Sequence, residues 1–366
     1  MKRLLWIGDA CIPTGFATVT HNVLRHLSGW NINVLAFGYD GRPHRHPYQI
    51  EPVGDLTGIR EKVERAKPDM ILINSDWWNV SAILDILGDG WPVTAYMPVD
   101  GLNVDRLTAF NLNRLRHDFW YCEFGRTIVR DAGYSGFDTI IPHGYEESDF
   151  SPVLKSDARR ILGLPQKSFI VGNVNRNQPR KRLDLSIGYF AKWQQVEDAD
   201  AYLLLHCALN DVGWDLMSLA KHYGVSQRVI FTGCERLEDM MPQSRLKVIY
   251  SALDVQISTS DGEGWGLTTM EGMACGVHQI VPDFAALGEW PEPASRIPCL
   301  HSTARPGVNT IGMIPEFDGF SQALSLAIND RDALSNAREE SIRFVTNSRF
   351  EWSAIAGQFN HVLTEL

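Results

Sequence analysis

Short apolar runs of strand length recur along the whole of this chain, and the stretches between them have the polar or amphipathic character of helices. Such alternation is the pattern of a parallel sheet covered by helices on both faces. The runs fall into two series. The first comprises RLLWIG (3–8), NVLAFG (33–38), MILIN (70–74), VTAYM (93–97), FWYC (119–122) and TIIP (139–142). The second comprises FIVGNV (169–174), AYLLLH (201–206), RVIFTG (228–233), DVQIS (254–258) and HQIVP (278–282). Between them, IPHGYEESDFSP (141–152) is punctuated by prolines and a glycine and reads as a connection. The expectation is therefore an α/β protein of two doubly wound, Rossmann-like domains, 1–146 and 147–366. From Ser348 a last amphipathic helix, about 350–364, carries Trp352, Ile355 and Phe359 at helical spacing. Its apolar face has to pack on something, and the N-terminal domain is the expected partner.

Bulk properties agree with two cores: 366 residues suit about two domains at roughly 100–200 residues each, and 44% apolar with 21% charged residues suits a globular chain. A net charge of −10 argues against generic polyanion binding. No apolar run approaches the roughly 20 residues that span a bilayer, and the run in MKRLLWIGDAC is too short for a signal peptide and is broken by Asp9. A cytoplasmic protein without a transmembrane segment is expected. Cys11, Cys122, Cys207, Cys234, Cys275 and Cys299 show no C-x-x-C pair and no metal spacing, so they read as buried thiols. The acidic DAD at 198–200 precedes a strand and reads as a polar loop, so no metal site is expected.

The segment DGEGWGLTTMEGMACG (261–276) concentrates the chemistry. Gly262, Gly264 and Gly266 let backbone approach a ligand closely, and the helix that follows presents unpaired N–H groups to an anion. Glu263 stands in the loop and Glu271 about two turns into the helix, at about 3.6 residues per turn, so both can reach one bound molecule. The loop follows a strand, and in open parallel sheets ligands bind at the carboxyl ends of strands. A second candidate is the basic run NRNQPRKRLD (175–184), after the first strand of the second series. Read alone, it is a phosphate-binding loop, a solvated basic loop or a nucleic-acid patch.

Together these segments resemble the group 1 glycosyltransferases, the retaining GT-B-fold enzymes related to glycogen and sucrose synthases. Glu263 through Glu271 is similar to the family's E-x7-E signature, Arg176 and Lys181 stand where the family has its Arg and Lys pair, and 141–152 is similar to its interdomain linker. Lesser matches are FTG (231–233), YSALDV (250–255), Glu289, and Phe350 with Trp352. The resemblance implies a GT-B fold with a cleft between the two domains, and transfer of a sugar from a UDP or GDP type nucleotide sugar. It implies that Arg176 and Lys181 stabilise charge on the departing phosphate, Glu263 holds sugar hydroxyls and Glu271 the ribose hydroxyls. Backbone amides near Gly264, Gly266, Leu267 and Thr268 would complete the phosphate site. No cofactor beyond the donor substrate is implied, and no metal, since the two cations supply the positive charge.

Two departures stand out. Thr14 precedes Gly15 where the family usually shows a glycine pair in the loop over the reaction centre, and YMPVDG (96–101) lacks the histidine many relatives place there. Asp100 is the nearest polar candidate to accept the acceptor's proton, and it is equally a turn residue. His143 and His278 read as structural, and Trp77 and Trp78 as acceptor-stacking or core residues. The acceptor, a saccharide, glycolipid or modified nucleic acid, is not legible in the loops at 41–47 (Arg42, His44, Arg45, His46) and 103–116. Alternatives of the same architecture are a nucleotide-sugar epimerase and a non-catalytic nucleotide-sugar-binding protein. A glycosidase using Glu263 and Glu271 as paired carboxyls is the rival hydrolytic reading.

Overall fold

The computed structural model describes residues 1–38, 46–54, 56–236, 242 and 245–366. Arg42, His44 and Arg45 of the basic loop lie outside the described residues. The described chain forms two compact units, one of Met1–Gly144, Pro306–Thr310 and Ser348–Leu366, the other of Tyr145–Arg305 and Ile311–Asn347.

The first unit is built on a sheet of β1 (Lys2–Asp9), β2 (Trp30–Phe37), β3 (Gln49–Pro52), β4 (Met70–Asn74), β5 (Val93–Met97), β6 (His117–Trp120) and β7 (Asp138–Ile140). All of its pairings are parallel, in the order β3-β2-β1-β4-β5-β6-β7. The second unit repeats the plan with β8 (Phe169–Val174), β9 (Ala201–His206), β10 (Val229–Phe231), β11 (Val255–Ile257), β12 (His278–Pro282) and β13 (Ser295–Ile297), ordered β10-β9-β8-β11-β12-β13. In each sheet the chain starts in the middle and reverses direction of growth, so a switch point opens between β1 and β4 and between β8 and β11. Such switch points are where doubly wound sheets bind ligands. An antiparallel hairpin, β14 (Cys299–Ala304) and β15 (Ile311–Pro315), follows the second sheet.

Central strands read as unbroken apolar runs because both faces are covered: β4 and β8 are buried throughout. The strands absent from the expectation are β3, β13, β14 and β15. Each is an edge strand or a hairpin strand: β3 and β14 have exposed positions, and β13 and β15 are short and only partly buried, so none writes a long apolar run. Pro52 in β3 is tolerated at a sheet edge, where its missing N–H breaks no ladder bond. The FWYC run is also displaced: the strand is His117–Trp120, because Cys122 already caps the helix Glu123–Asp131.

The helix Trp352–Glu365 belongs to the first unit and buries Trp352, Ile355, Ala356, Phe359 and Leu363. Phe359 meets Tyr96 edge-on at 4.8 Å and Phe119 at 4.9 Å, and Trp30 Nε1 donates to Asn360 Oδ1 at 3.0 Å. In the second unit a buried ion cluster ties the helix Lys155–Ile161 to the sheet. Asp254 accepts from Arg159 Nη2 at 2.6 Å, from Lys155 Nζ at 2.6 Å and from the Ile170 N–H at 2.8 Å. Burial alone would raise the Asp254 carboxyl, but Lys155 and Arg159 outweigh it and hold it below the usual range.

Candidate active site

The site forms where two segments leave the switch point of the second sheet. After β8 the chain passes through Asn175–Gln178, makes a tight turn at Pro179–Lys181, and enters the helix Leu183–Glu197 through Arg182 in a left-handed conformation, φ 48°. After β11 the Ser258–Gly266 loop runs alongside, and hydrogen bonds fasten the two together. Thr259 Oγ1 donates to the Arg182 carbonyl at 2.8 Å, Ser260 Oγ to the Arg180 carbonyl at 3.2 Å, and the Asp261 N–H to the same carbonyl at 3.0 Å. The small polar residues that end this strand thus bind the basic turn.

Glu263 is held by two cations. Lys181 Nζ donates to its Oε1 at 2.5 Å, and Arg180 Nη1 donates to its Oε2 at 2.8 Å and to the Gly262 carbonyl at 2.6 Å. Only 7% of the Glu263 side chain and 13% of the Lys181 side chain are exposed, so these are buried ion pairs rather than surface contacts. Burial raises the Glu263 carboxyl, but Arg180 and Lys181 overcome it and bring its pKa down to about 2.

A stability consequence follows with a definite sign. A carboxyl depressed from 4.5 to about 2 contributes stability that is present above its unfolded pKa and is lost as pH falls through the folded one. At about 1.36 kcal/mol per unit this is at most about 3 kcal/mol. Urea midpoints of the wild type measured from about pH 5 down to about 2.5 are expected to fall more steeply than those of Glu263→Gln. Parallel slopes in the two proteins would show that the pair contributes nothing.

Gly266 enters the helix Leu267–Ala274 with φ 92°, and a methyl group there would come within 2.7 Å of Leu287 Cδ2, so glycine is required both for conformation and for space. The N–H groups of Leu267 and Thr268, in the first turn, lie outside the helical ladder and suit an anion. Gly264 lies buried in the preceding loop. One turn further, Glu271 is buried and accepts from Tyr250 Oη at 2.6 Å. Burial and the neighbouring Glu271 push the Tyr250 hydroxyl well above its usual pKa, so it stays a donor.

Of the residues singled out in the sequence, Lys181 and Glu263 are in direct contact, while Arg176 is engaged elsewhere. Its guanidinium makes a two-bond fork to Asp211, Nε to Oδ2 at 3.0 Å and Nη2 to Oδ1 at 2.9 Å. The cation that shares Glu263 with Lys181 is Arg180, a neighbour in the same basic run that the family pattern did not single out. Gly15 and Asp100 belong to the first unit. Gly15 opens the helix Gly15–His26, and the departure at Thr14 has a local reason: Thr14 is the helix N-cap, accepting from the Ala17 N–H at 3.2 Å while donating to Asp9 Oδ2 at 2.6 Å. Asp100 lies half-buried beyond the carboxyl end of β5.

His143 is buried against Tyr121, ring centres 4.1 Å apart, and burial lowers its pKa to about 3. His278 lies 2.9 Å from Ser295 Oγ, with its pKa lowered to about 4 by burial. Trp77 is buried in the core of its unit and Trp78 packs edge-on against it at 5.2 Å. Of the cysteines, Cys122, Cys207 and Cys275 are buried, whereas Cys11, Cys234 and Cys299 are partly exposed, which corrects the expectation that all are buried. Among the described residues no group of three or more His, Cys, Asp or Glu could hold a metal ion, and no helix is long and apolar enough to cross a membrane.

Residues 155–289 match the family model for glycosyl transferases group 1. The chain is 29% identical over 236 residues to a D-inositol 3-phosphate glycosyltransferase of Thermobispora bispora, covering 62% of this chain and 50% of that protein. It is 27% identical over 172 residues to the lipopolysaccharide core biosynthesis mannosyltransferase LpsB of Rhizobium meliloti, covering 44% of this chain and 46% of that protein. The chain thus spans about half the length of these relatives or less. Among solved structures, the sucrose-phosphate synthase of Thermosynechococcus elongatus superposes with a TM-score of 0.77 at 18% identity, covering 100% of this chain and 99% of that one. HepE of Anabaena in complex with UDP-glucose gives a TM-score of 0.77 at 17% identity, covering 100% of both chains. At such identities the likeness speaks to the fold, which is the GT-B pairing of Rossmann-like domains expected from the sequence.

Proposed function

We propose that this chain, whose residues 155–289 match the family model for glycosyl transferases group 1, moves a sugar from a nucleoside diphosphate to a hydroxyl acceptor with retention of configuration. The observation that carries the reading is the Lys181–Glu263–Arg180 cluster beside the Gly266 helix start. Two cations on Glu263 and a helix start whose first-turn amides lie outside the helical ladder stand in one loop, and a diphosphate is the ligand that such a combination suits. The UDP-glucose held by HepE is a donor of this class.

In this reading the bond from sugar C1 to the diphosphate breaks while the acceptor oxygen bonds to C1 on the same face. Negative charge grows on the departing phosphate, and Lys181 and Arg180 stabilise it more than they stabilise the intact donor. Arg176 joins them by exchanging its Asp211 fork for the phosphate. Glu263, still paired with Lys181 and Arg180, accepts sugar hydroxyls on its remaining lone pairs, and Glu271, steadied by Tyr250, accepts those of the ribose. Asp100, beyond the end of a first-unit strand, receives the acceptor's proton. A glycosidase reading fits less well: its general acid has to be kept protonated near neutrality, whereas Glu263 is pulled far the other way.

The test is a thermal-shift screen of UDP, GDP and their sugars, followed by NMR of the donor with an acceptor panel. A donor at about 100 times its Kd is expected to stabilise the fold by about 2.7 kcal/mol. Product with the donor's own anomeric configuration is the expected outcome. Isomerised donor without acceptor would favour the epimerase reading, and binding with neither change the non-catalytic one.

A further inference from the structure

The loop that carries Glu263 is gripped from two sides, and only one of them is the basic turn. On the other side stands the β14–β15 hairpin, which lies beyond residue 289, where the family match ends. Arg305, directly after β14, places Nε 2.9 Å and Nη2 2.6 Å from Asp261 Oδ1. The pair is enclosed, with 11% of the Arg305 side chain and 5% of the Asp261 side chain exposed. The Asp261 carbonyl accepts from the Met313 N–H of β15 at 2.8 Å, while its own N–H donates to the Arg180 carbonyl at 3.0 Å. Opposite it, a methyl group on Gly312 would come within 2.6 Å of the Asp261 carbonyl oxygen and 2.7 Å of its Cγ, so only glycine allows this approach. Asp261 is therefore a rivet: its main chain joins the basic turn to the hairpin, and its side chain is closed by Arg305.

Charge gives this arrangement its functional consequence. Asp261 brings a buried carboxylate into the loop that also holds Glu263, and a bare carboxylate there would repel a diphosphate. We propose that Arg305 is a positioning residue of the donor site, cancelling the charge of Asp261 and tying the loop to the hairpin so that the diphosphate meets the basic turn and the helix amides. The proposal rests on the donor reading above and extends the site to a hairpin outside the matched family segment.

The experiment compares wild type, Arg305→Met, Asp261→Asn and the double variant by calorimetric titration with UDP and GDP, by melting temperature, and by amide exchange of residues 258–266 in the ligand-free protein. Arg305→Met is expected to weaken nucleotide binding by about tenfold or more. Asp261→Asn in the same chain is expected to restore binding to within about threefold of the wild type, because the repelling charge is gone. Amide exchange of 258–266 should rise in both Arg305 variants, since both lose the tie. A purely structural arginine would leave the double variant as weak as the single one, and that result overturns the proposal, as does wild-type affinity in Arg305→Met. If Arg305→Met does not fold, Arg305→Lys, which keeps the charge and loses the fork, is expected to bind within about tenfold of the wild type, and loss of binding in it beyond that overturns charge cancellation. Failure of the wild type to bind either nucleotide removes the donor reading and this proposal together; binding by the wild type with no response to Arg305 removes this proposal alone.

Discussion

Lys181→Ala is expected to lower nucleotide-sugar turnover by about 10²–10³-fold while leaving a folded protein. The magnitude follows from what one buried, pre-placed charge contributes when a leaving group gains its full charge, a few kcal/mol in a water-poor site. Lys181 is largely buried and Glu263 fixes its ammonium in place, so the charge is already positioned before the phosphate leaves. The fold survives because Arg180 still neutralises Glu263. Steady-state kinetics decide the matter: the effect should fall mainly on kcat, since the interaction strengthens as the bond breaks. A change confined to KM would reassign Lys181 to ground-state binding, and unchanged kinetics would remove it from the chemistry.

Asp254→Ala is expected to have the largest effect on stability, about 3–5 kcal/mol, the usual consequence of breaking a buried ion pair by removing one partner. Asp254 is 5% exposed and answers Arg159, Lys155 and the Ile170 N–H at once, so its loss leaves a buried guanidinium and an ammonium facing each other. Arg159 Nε also donates to the Ala252 carbonyl and Nη1 to the carbonyls of Gln166 and Ser168, which keeps it from swinging out to water. Urea unfolding checks this; a midpoint close to the wild type would mean that the cluster relaxes into solvent. Because the aspartate immediately precedes β11, whose other end feeds the Glu263 loop, the variant should also lose donor binding as it loses stability.

Much of the fold was legible because the buried parallel strands write themselves as apolar runs, and β4, β5, β8, β9 and β12 coincide with those runs residue for residue. Edge strands escaped for the opposite reason: β14, CLHSTA, is half or fully exposed throughout and alternates too weakly to be read. Buried polar residues inside strands mislead in the same way. Asp118 in β6 is fully buried, and burial raises its carboxyl well above the usual range, so a residue that looks like loop chemistry sits in a core.

The candidate site was legible in its residue types and not in its pairings. A Gly-rich loop with two glutamates and a basic run announces a phosphate site, but which cation meets which carboxylate depends on side chains separated by 82 and 83 residues in the chain. Arg180 and Arg182 stand on either side of Lys181, and only the turn geometry aims one at Glu263 and the other at Asp184. Arg305 carries no motif at all; its partner Asp261 was read as the first letter of a loop, and nothing local links the two.

In the order of the sequence, the sheet of the first unit comes before the second unit and the helix Trp352–Glu365 that covers it comes after. On the ribosome, then, the first unit begins life with the Tyr96 and Phe119 faces that await Phe359 still bare, and it stays that way until the entire second unit has emerged. Translation order thus makes the unit that starts before the other finish after it, and a pause or truncation ahead of Ser348 would strand an otherwise assembled sheet with an open, sticky seam.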